Sequence, residues 1–431
     1  ALFASEEIVH SYPHCWRCKK PIIFRATPQW FCSVESFKDE ACAACEDVRW
    51  VPTWGKDRMR SMILERTDWC ISRQRRWGLP IPVFYCKDCG KPICTPETID
   101  AVSRLFEEKG SNAWFAMTAE EILPEGFTCP HCGKSAGFEQ ESDTLDGWFD
   151  SGSTHFASME RTQGFWPATM YLEGLDQYRG WFQSSLLTAV GALGRGAPFK
   201  ECVTHGWTVD GQGRAMHKSL GNGVDPAEVF NKYGADLLRL WAGSSDYHVD
   251  VRCSDEIFKQ LSQNYLKFRN TAKFCLDNLT DFDPDTLVAP EDMLALDRWA
   301  MTRLNALIAK AFTAYDNYEF HVVSHAVNTV STVNACGFYA GVGFSDPPVA
   351  VLADKRGVSV RTVLAVGSVF SVRTVLSVYT ILAVSAVSAV DSVFSVYTVL
   401  AVSAVSAVES FQNRKIVQVQ PYFIADIAPL Q

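Results

Sequence analysis

Residues 205–222 read His-Gly-Trp-Thr-Val-Asp-Gly-Gln-Gly-Arg-Ala-Met-His-Lys-Ser-Leu-Gly-Asn. The pattern predicts a buried strand over 202–209, a glycine hinge, a basic loop centred on Lys218, and then a helix over 226–241. A lysine on a loop at the edge of an α/β sheet can reach a triphosphate and neutralise the charge that develops during its cleavage. Taken alone, the loop also fits an ordinary basic surface turn.

A second polar segment precedes this loop by about thirty residues. Here an apolar strand is predicted to end at Leu172, with Glu173 at its tip and a helix following whose N-cap is Asp176. Ligands of open α/β sheets bind beyond the carboxyl ends of the strands, so Glu173 is a candidate ligand-binding residue. Gln177 and Trp181 are four residues apart and are predicted to share a helix face toward the same crevice. Plain core packing is the alternative for Trp181.

Five motifs follow one another along the chain. They are His14-Cys-Trp-Arg-Cys18, Asp68-Trp-Cys-Ile-Ser-Arg-Gln-Arg-Arg-Trp-Gly-Leu-Pro-Ile-Pro82, Gly147-Trp-Phe-Asp-Ser-Gly152, Tyr171-Leu-Glu-Gly-Leu-Asp-Gln-Tyr-Arg-Gly-Trp-Phe182 and the lysine loop. In this order they resemble the class I aminoacyl-tRNA synthetases, over roughly residues 1–321. Valyl and leucyl members share the Asp-Trp-x-Ile-Ser-Arg-Gln core, whereas its pairing with the fourth motif points to the isoleucyl-tRNA synthetases.

The resemblance implies an α/β fold: the second half of a Rossmann-type catalytic domain with a zinc-ribbon insert, followed by the start of an α-helical anticodon-binding domain. The expected boundaries are 1–50 for the return leg of the editing (CP1) insertion, 51–250 for the catalytic part with its insert at about 84–140, 251–321 for the helical domain and 322–431 for an aberrant low-complexity tail.

The resemblance also implies a reaction. Isoleucine is activated by ATP, with Mg²⁺, to isoleucyl-AMP and is then transferred to tRNA(Ile). Trp148 and Trp181 would line the pocket for the isoleucine side chain. Glu173 would contact the ribose hydroxyls of the adenylate, with Gln177 nearby. The residues implied at the ATP phosphates are Lys218, which is also the catalytic residue, Ser219 and His217.

Two departures from the family pattern stand out. The signature Lys-Met-Ser-Lys-Ser reads Ala215-Met-His-Lys-Ser219 here, so the first lysine is missing; Arg214 or a protonated His217 could partly replace it. The other ATP motif, His-x-Gly-His, does not occur in the sequence. We therefore expect a fragment that lacks the N-terminal half and is incomplete for catalysis. The alternative is a non-catalytic, zinc-stabilised tRNA-binding remnant.

Composition constrains the partners. The 431 residues suffice for two or three domains, and a net charge of −9 excludes a general polyanion-binding character. A local basic face is still compatible with RNA binding: Arg73, Arg75 and Arg76 lie close together, either as a solvated loop or, as the resemblance implies, near the tRNA acceptor end. We expect a cytoplasmic monomer that does not enter a membrane.

The 15 cysteines include pairs with metal-ligand spacing. Cys86-x-x-Cys89 and Cys129-x-x-Cys132 are each followed by a glycine, which predicts a closed four-thiolate Zn²⁺ site; reduced structural thiols are the alternative. His131 is expected to be an exposed spacer. Cys15 and Cys18 form a possible half site; the resemblance implies a partner pair upstream, across the editing insertion, so we expect these two thiols to be left without metal. Cys42-x-x-Cys45 lies in a predicted helix, where zinc ligation together with Cys15 and Cys18 is the less favoured reading.

The C-terminal part first shows apolar residues at helical spacing and then becomes low in sequence complexity. Residues 257–269 and 293–315 have apolar residues at helical spacing, which predicts two amphipathic helices. Residues 349–410 are almost wholly Val, Ser, Ala, Leu and Thr, and a 14-residue segment recurs with a period of 18. We interpret this tract as a reading-frame or assembly artefact; a membrane anchor and a β-solenoid or aggregation-prone β tract are the alternatives.

Overall fold

The computed structural model describes residues 5–15, 18–216, 220–277, 289–329 and 417–429. These residues mix helices and strands and divide into two compact units. The first unit comprises residues 1–204 together with 391–431, and the second comprises 205–390.

The described strands, in chain order, are β1 (Ile22–Cys32), β2 (Arg49–Val51), β3 (Trp69–Cys70), β4 (Ser72–Arg73), β5 (Phe84–Cys86), β6 (Pro92–Ile93), β7 (Phe138–Gln140), β8 (Thr144–Leu145), β9 (Ala168–Gly174), β10 (Phe199–His205), β11 (Thr208–Val209), β12 (Val251–Arg252) and β13 (Val417–Pro429). The described α-helices are α1 (Lys38–Ala44), α2 (Gly55–Leu64), α3 (Pro96–Lys109), α4 (Ala113–Ala116), α5 (Ala119–Ile122), α6 (Gly147–Gly152), α7 (Arg161–Gln163), α8 (Trp181–Leu187), α9 (Pro226–Tyr233), α10 (Ala235–Ser244), α11 (Asp255–Asp277), α12 (Ala295–Asp316) and α13 (Phe320–Thr329). Short 3₁₀ helices cover Glu35–Phe37, Leu175–Tyr178 and Pro290–Asp292, and π-helical turns cover His155–Glu160 and Thr188–Ala192.

A sheet in the order β2-β10-β9 lies at the centre of the first unit. β10 runs parallel to β2, with Cys202 opposite Trp50. Aromatic side chains pack against one another beside this sheet: Trp50 stacks on Tyr178 at 6.1 Å, and Tyr178 meets Phe182 edge-on at 5.7 Å. This packing fixes the end of β9 and the segment that follows it.

The segment predicted as an insert forms its own small layer. β5 pairs antiparallel with both β6 and β7, and α3 follows β6. The start of α3 is set by Thr95, whose hydroxyl accepts a hydrogen bond from the backbone N–H of Thr98, and by a proline at the first helical position. The helix ends at Gly110, whose φ of 77° is left-handed.

The sequence predicted an aberrant tail over 322–431. Within it, β13 is described and pairs antiparallel along β1. The predicted boundary at residue 321 falls inside α13. The tract 349–410 lies outside the described residues, so its interpretation stays a prediction.

Two elements predicted on either side of the lysine loop were wrong in their extent. The strand predicted over 202–209 is two strands, β10 and β11, with an interruption at Gly206, where an added Cβ would lie 2.5 Å from the backbone of Val249. The helix predicted over 226–241 is two helices, α9 and α10, because Gly234 separates them with a φ of 86°.

The two amphipathic helices predicted farther along are confirmed as α11 and α12. Leu307 and Ala311 of α12 pack with Val323 and Val327 of α13 in one small apolar cluster. None of the described helices combines the length and the apolar composition needed to cross a membrane.

Candidate functional site

The predicted turn after β9 differs from the structure. Asp176 is not a helix N-cap: it lies inside a 3₁₀ helix whose N-cap is Gly174, and its carboxylate accepts a hydrogen bond from Gln177 Nε2 at 3.0 Å. The prediction failed because short 3₁₀ turns have no distinctive sequence signal. Glu173 is exposed near the end of β9, as expected for a ligand-binding carboxylate.

Gln177 and Trp181 are not on one helix face, because they belong to two different helices. A hydrogen bond joins them instead: Gln177 Oε1 accepts from the backbone N–H of Trp181 at 2.9 Å, at the start of α8. An added Cβ at Gly180 would lie 2.6 Å from Gln177 Oε1 and 2.9 Å from the Trp148 ring. The glycine therefore lets these three predicted site residues come together.

The Trp181 indole is held in one orientation. It stacks on Tyr171 with ring centroids 3.9 Å apart and planes 9° apart, and its Nε1 donates to the carbonyl of Ser151 at 3.0 Å. Trp148, in α6, is 44% exposed. Its backbone N–H donates to Asp146 Oδ1 at 3.3 Å. One tryptophan is thus fixed by packing and the other presents its ring to solvent.

Trp148 also borders a cavity of about 260 Å³ in the first unit. Three guanidinium groups and two carboxylates share its lining, from Arg66, Arg73, Arg179, Asp68 and Asp146. Arg66 and Arg179 were missed by the sequence reasoning. The sequence could have pointed to both residues by their positions, since Arg66 lies two residues before the Asp-Trp-Cys motif and Arg179 lies within the fourth motif.

His217, Lys218 and Ser219 lie outside the described residues. The base of their loop is described, and Asp210 organises it. Its carboxylate accepts from the backbone N–H groups of Gln212 at 3.0 Å and Arg214 at 2.9 Å, and from Asn222 Nδ2 at 3.0 Å. These hydrogen bonds, first that from Asn222, hold the pKa of the Asp210 carboxyl well below its usual range.

Arg214, considered from the sequence as a substitute for the missing lysine, is engaged by the same carboxylate. Its Nε and Nη2 both lie 2.8 Å from Asp210 Oδ2. Asn222 Nδ2 also donates to the carbonyl of Ala215 at 3.1 Å. The Arg214 guanidinium is therefore bound to Asp210 at the base of the loop in this structure.

The four predicted zinc ligands come together. Sγ of Cys86 lies 3.6 Å from that of Cys132, and Sγ of Cys89 lies 3.8 Å from that of Cys129. All four sulfurs lie within 4.8 Å of one another. Thiolates about 2.3 Å from a tetrahedral zinc are themselves about 3.8 Å apart, so the cluster has the size that Zn²⁺ requires.

The two halves of this cluster share one backbone geometry. The N–H of Gly90 donates to the carbonyl of Cys86 at 2.8 Å, and that of Gly133 donates to the carbonyl of Cys129 at 2.9 Å. Both glycines have a left-handed φ, 68° and 74°. Each pair of cysteines therefore projects from the same kind of tight turn, as the glycine after each pair predicted.

No other group of this kind forms among the part of the chain that is described. Cys15 is half-buried and Cys18 is exposed, whereas Cys42 and Cys45 are buried in the core around α1. Burial raises the pKa of the Cys45 thiol to about 12. His131 is exposed, as expected for a spacer, and its Nε2 lies 3.1 Å from the carbonyl of Pro92.

Residues 12–254 match the family described as tRNA synthetases class I (I, L, M and V). The chain is 56% identical over 344 residues to an isoleucine–tRNA ligase of Caldanaerobacter subterraneus subsp. tengcongensis, covering 79% of this chain and 37% of that protein. It is 54% identical over 337 residues to the isoleucine–tRNA ligase of Moorella thermoacetica, covering 78% and 36%. The chain thus spans little more than a third of the length of these relatives.

Solved structures share the fold. Methionyl-tRNA synthetase of Mycobacterium tuberculosis, in complex with methionyl-adenylate, superposes with a TM-score of 0.58 at 16% identity, covering 86% of this chain and 66% of that one. A LeuRS of Agrobacterium radiobacter K84, in a ternary complex with tRNA and LeuAMS, gives 0.50 at 20% identity, covering 85% and 47%. With the family match over more than half of its residues, the chain belongs to the class I tRNA synthetases.

Proposed function

We propose that the chain is part of an isoleucine–tRNA ligase, which activates isoleucine with ATP to isoleucyl-AMP and transfers the isoleucyl group to tRNA(Ile). The observation that carries the proposal is the identity of 52–56% to curated isoleucine–tRNA ligases over about four fifths of the chain. The predicted site residues in the described part of the chain support it, since Gln177 and Trp148 both lie against Gly180.

In this proposal the described residues bind and orient the adenylate. Trp148 and Trp181 receive the isoleucine side chain, because large rigid apolar faces suit a branched aliphatic group. Glu173 accepts hydrogen bonds from the ribose hydroxyls, and Gln177 lies beside it. The immobilised Trp181 indole, stacked on Tyr171 and bonded to Ser151, favours a pocket whose shape does not change on binding.

Lys218, with Ser219 and His217, then acts on the phosphates of ATP. The isoleucine carboxylate attacks the α-phosphorus, the bond to the β-phosphate oxygen breaks, and pyrophosphate leaves with Mg²⁺. Positive charge at Lys218 stabilises the phosphate oxygens as that bond breaks, and the rest of the catalysis is positioning. The Asp210 network supports this role because it fixes the points from which the loop extends.

We also propose that the Cys86, Cys89, Cys129 and Cys132 thiolates hold a structural Zn²⁺. When bound, the ion cross-links the two knuckles of the zinc-ribbon insert and, with four protein ligands, leaves no position for a catalytic water. The spacing of the four sulfurs supports this assignment. Residues 251–321 are proposed as the start of the anticodon-binding domain of a monomeric enzyme.

A non-catalytic, zinc-stabilised tRNA-binding remnant is the second candidate. Two features favour it: the first lysine of the signature loop is Ala215, and Arg214 is occupied by Asp210. In this case the chain would bind RNA through its basic residues and would form no adenylate.

The two candidates differ in one measurement, isoleucine-dependent ATP–pyrophosphate exchange on the purified chain, with zinc and tRNA(Ile) binding read on the same sample. Exchange that falls in Glu173→Gln and persists in Glu125→Gln, an exposed carboxylate in the insert, supports the enzyme. tRNA binding by a folded, zinc-loaded chain without exchange supports the remnant. A folded, zinc-loaded chain with neither activity rejects the remnant and shows that this chain by itself does not carry out the reaction.

A further inference from the structure

A buried histidine connects the segments that follow the two helices of the predicted pocket tryptophans. His155 begins the π-helical turn after α6, and its side chain is wholly buried. Its Nδ1 accepts a hydrogen bond from Trp166 Nε1 at 3.2 Å, and its Nε2 lies 3.2 Å from Oγ1 of Thr188, the first residue of the π-helical turn after α8. Both ring nitrogens therefore have partners inside the fold.

These two partners fix the tautomer of His155. An indole N–H only donates, so Nδ1 is the acceptor and the ring proton lies on Nε2. Nε2 therefore donates to Thr188 Oγ1. Burial, and then the positive charge of Arg195, lower the pKa of His155 to about 3, so the imidazole is neutral at neutral pH.

The Thr188 hydroxyl continues the chain of hydrogen bonds to α6. Because its oxygen accepts from His155, its own hydrogen is left to donate to a carbonyl. The nearest is that of Gly152, at the end of α6, at 2.8 Å. The carbonyls of Ser184 and Ser185 in α8 lie at 2.9 Å and 3.0 Å. One buried hydroxyl thus lies among carbonyls of both helices.

The helices α6 and α8 approach closely at this point. A Cβ added to Gly152 would lie 2.8 Å from the backbone of Ser184. Trp148 precedes Gly152 by four residues and Trp181 precedes Ser184 by three, so each tryptophan lies about one helical turn from the contact. A change in the separation of the helices at Gly152 therefore also changes the spacing of the two tryptophans.

We propose that His155 is a positioning residue: acting through Thr188, it sets how closely α6 and α8 approach. That separation determines the spacing of Trp148 and Trp181, and with it the size of the side chain that fits between them. A neutral, rigid ring suits this role because it accepts at one nitrogen and donates at the other in a fixed direction. The part that concerns the amino acid side chain rests on the proposed function, whereas the positioning of the two indoles does not.

The experiment uses the full chain labelled with 5-fluorotryptophan and read by ¹⁹F NMR. Trp148→Phe and Trp181→Phe assign the two resonances. Thr188→Val nearly keeps the shape of the side chain but removes the hydroxyl, so the buried Nε2–H loses its acceptor and the chain to α6 is broken. Both tryptophan resonances should shift. Thr188→Ser retains the hydroxyl and should return both resonances to their wild-type positions.

Thr162→Val is the matched control. Thr162 follows the same π-helical turn as His155, but its hydroxyl bonds only the carbonyl of Ala157 among the described residues. This variant should leave both tryptophan resonances unchanged.

The tautomer has a signature of its own in ¹⁵N NMR of the ring nitrogens. In the wild-type chain, His155 should show an unprotonated Nδ1 and a protonated Nε2, with the signals assigned by their loss in His155→Asn. Trp166→Phe removes the donor to Nδ1, so the tautomer with the proton on Nδ1 should become populated.

Shifts in Thr188→Val that Thr188→Ser reverses, together with the Nε2–H tautomer, support the positioning role. Unchanged tryptophan resonances in a folded Thr188→Val chain overturn it, as does a protonated Nδ1 in the wild type. If circular dichroism shows that Thr188→Val is unfolded, His155→Asn, whose shorter side chain cannot reach Thr188, must shift both resonances.

None of these readings needs catalysis. A chain that shows the shifts but no isoleucine-dependent exchange keeps the positioning role of His155 and loses the proposed activity. Exchange without the shifts keeps the activity and rejects the positioning role.

Discussion

Asp210 Oδ2 lies 3.0 Å from Asn222 Nδ2 and so joins two residues that are twelve positions apart on either side of the lysine loop. The same carboxylate binds Arg214 through its backbone and its side chain. The residues at which the loop begins and ends are therefore fixed to one acidic group. Few residues lie between them, so their fixed positions limit the region that Lys218 can reach.

Replacing this carboxylate should loosen the loop. In Asp210→Asn the side chain loses its charge and one acceptor oxygen becomes a donor that faces Asn222, so the ends of the loop are released. We expect trypsin to cleave after Arg214 and Lys218 several-fold faster than in the wild-type chain, as measured by mass spectrometry of timed digests. Asp246→Asn is the matched control, because Asp246 is exposed and bonds only its neighbour His248 among the described residues. Equal cleavage rates in the two variants would show that Asp210 does not restrain the loop.

The cysteine cluster predicts a defined metal content. The purified chain should contain one zinc ion, and Cys89→Ser should lose it and melt at a lower temperature, because three thiolates bind the ion less tightly than four. Elemental analysis and a thermal melt measure both changes. Cys94→Ser, in the same insert but outside the cluster, should keep its zinc. Zinc retained by Cys89→Ser, or lost in both variants, would contradict the assignment.

Trp181 should contribute to stability in two separable parts. Trp181→Phe keeps a ring against Tyr171 but removes the hydrogen bond to Ser151, at a cost of about 1 kcal/mol. Trp181→Ala also removes the stacked ring and should cost roughly 3 kcal/mol in the free energy of unfolding. Urea unfolding measures both. Trp148→Phe, at an exposed ring, should change the free energy by less than about 0.5 kcal/mol. A loss as large as that of Trp181→Ala would show that Trp148 is a packing residue.

Asp150 in α6 should make stability fall with pH. One of its carboxylate oxygens is buried without a hydrogen-bond partner, and burial, with a smaller effect from Asp146, raises its pKa from 3.8 to about 8. Between these values the folded chain keeps a proton that the unfolded chain has released. The free energy of unfolding should therefore decrease by at most about 1.4 kcal/mol per pH unit over that range, and by less where water reaches the carboxyl.

Asp150→Asn isolates this contribution, because the amide does not titrate. Denaturant unfolding at pH 5 and pH 8 should show that the difference in stability between the wild type and the variant shifts in favour of the variant as pH rises. An unchanged difference would mean that Asp150 is ionised in the folded chain at both values.

The sequence predicted the grouping of the four cysteines better than it predicted the local structure around Asp176 and Trp181. The cysteine pairs with their following glycines led to the correct cluster, since that geometry is local to each turn. The helix N-cap at Asp176 and the shared helix face of Gln177 and Trp181 were wrong, because a short 3₁₀ helix follows β9 and α8 begins only at Trp181. Gly206 and Gly234 interrupted elements that periodicity alone had made continuous.

The order of the motifs, and the tight turn formed by each cysteine pair with the glycine after it, could be taken from the sequence by itself, because the first is a property of the chain and the second depends on residues within a few positions of one another. Only the tertiary structure showed that Arg214 is bound by Asp210 and that Arg66 and Arg179 line one cavity together with Asp68 and Asp146. The physical reason is that charge balance is set by distances through space: Arg66 and Arg179 are more than a hundred residues apart in the chain, and no sequence pattern records which carboxylates the fold leaves beside them.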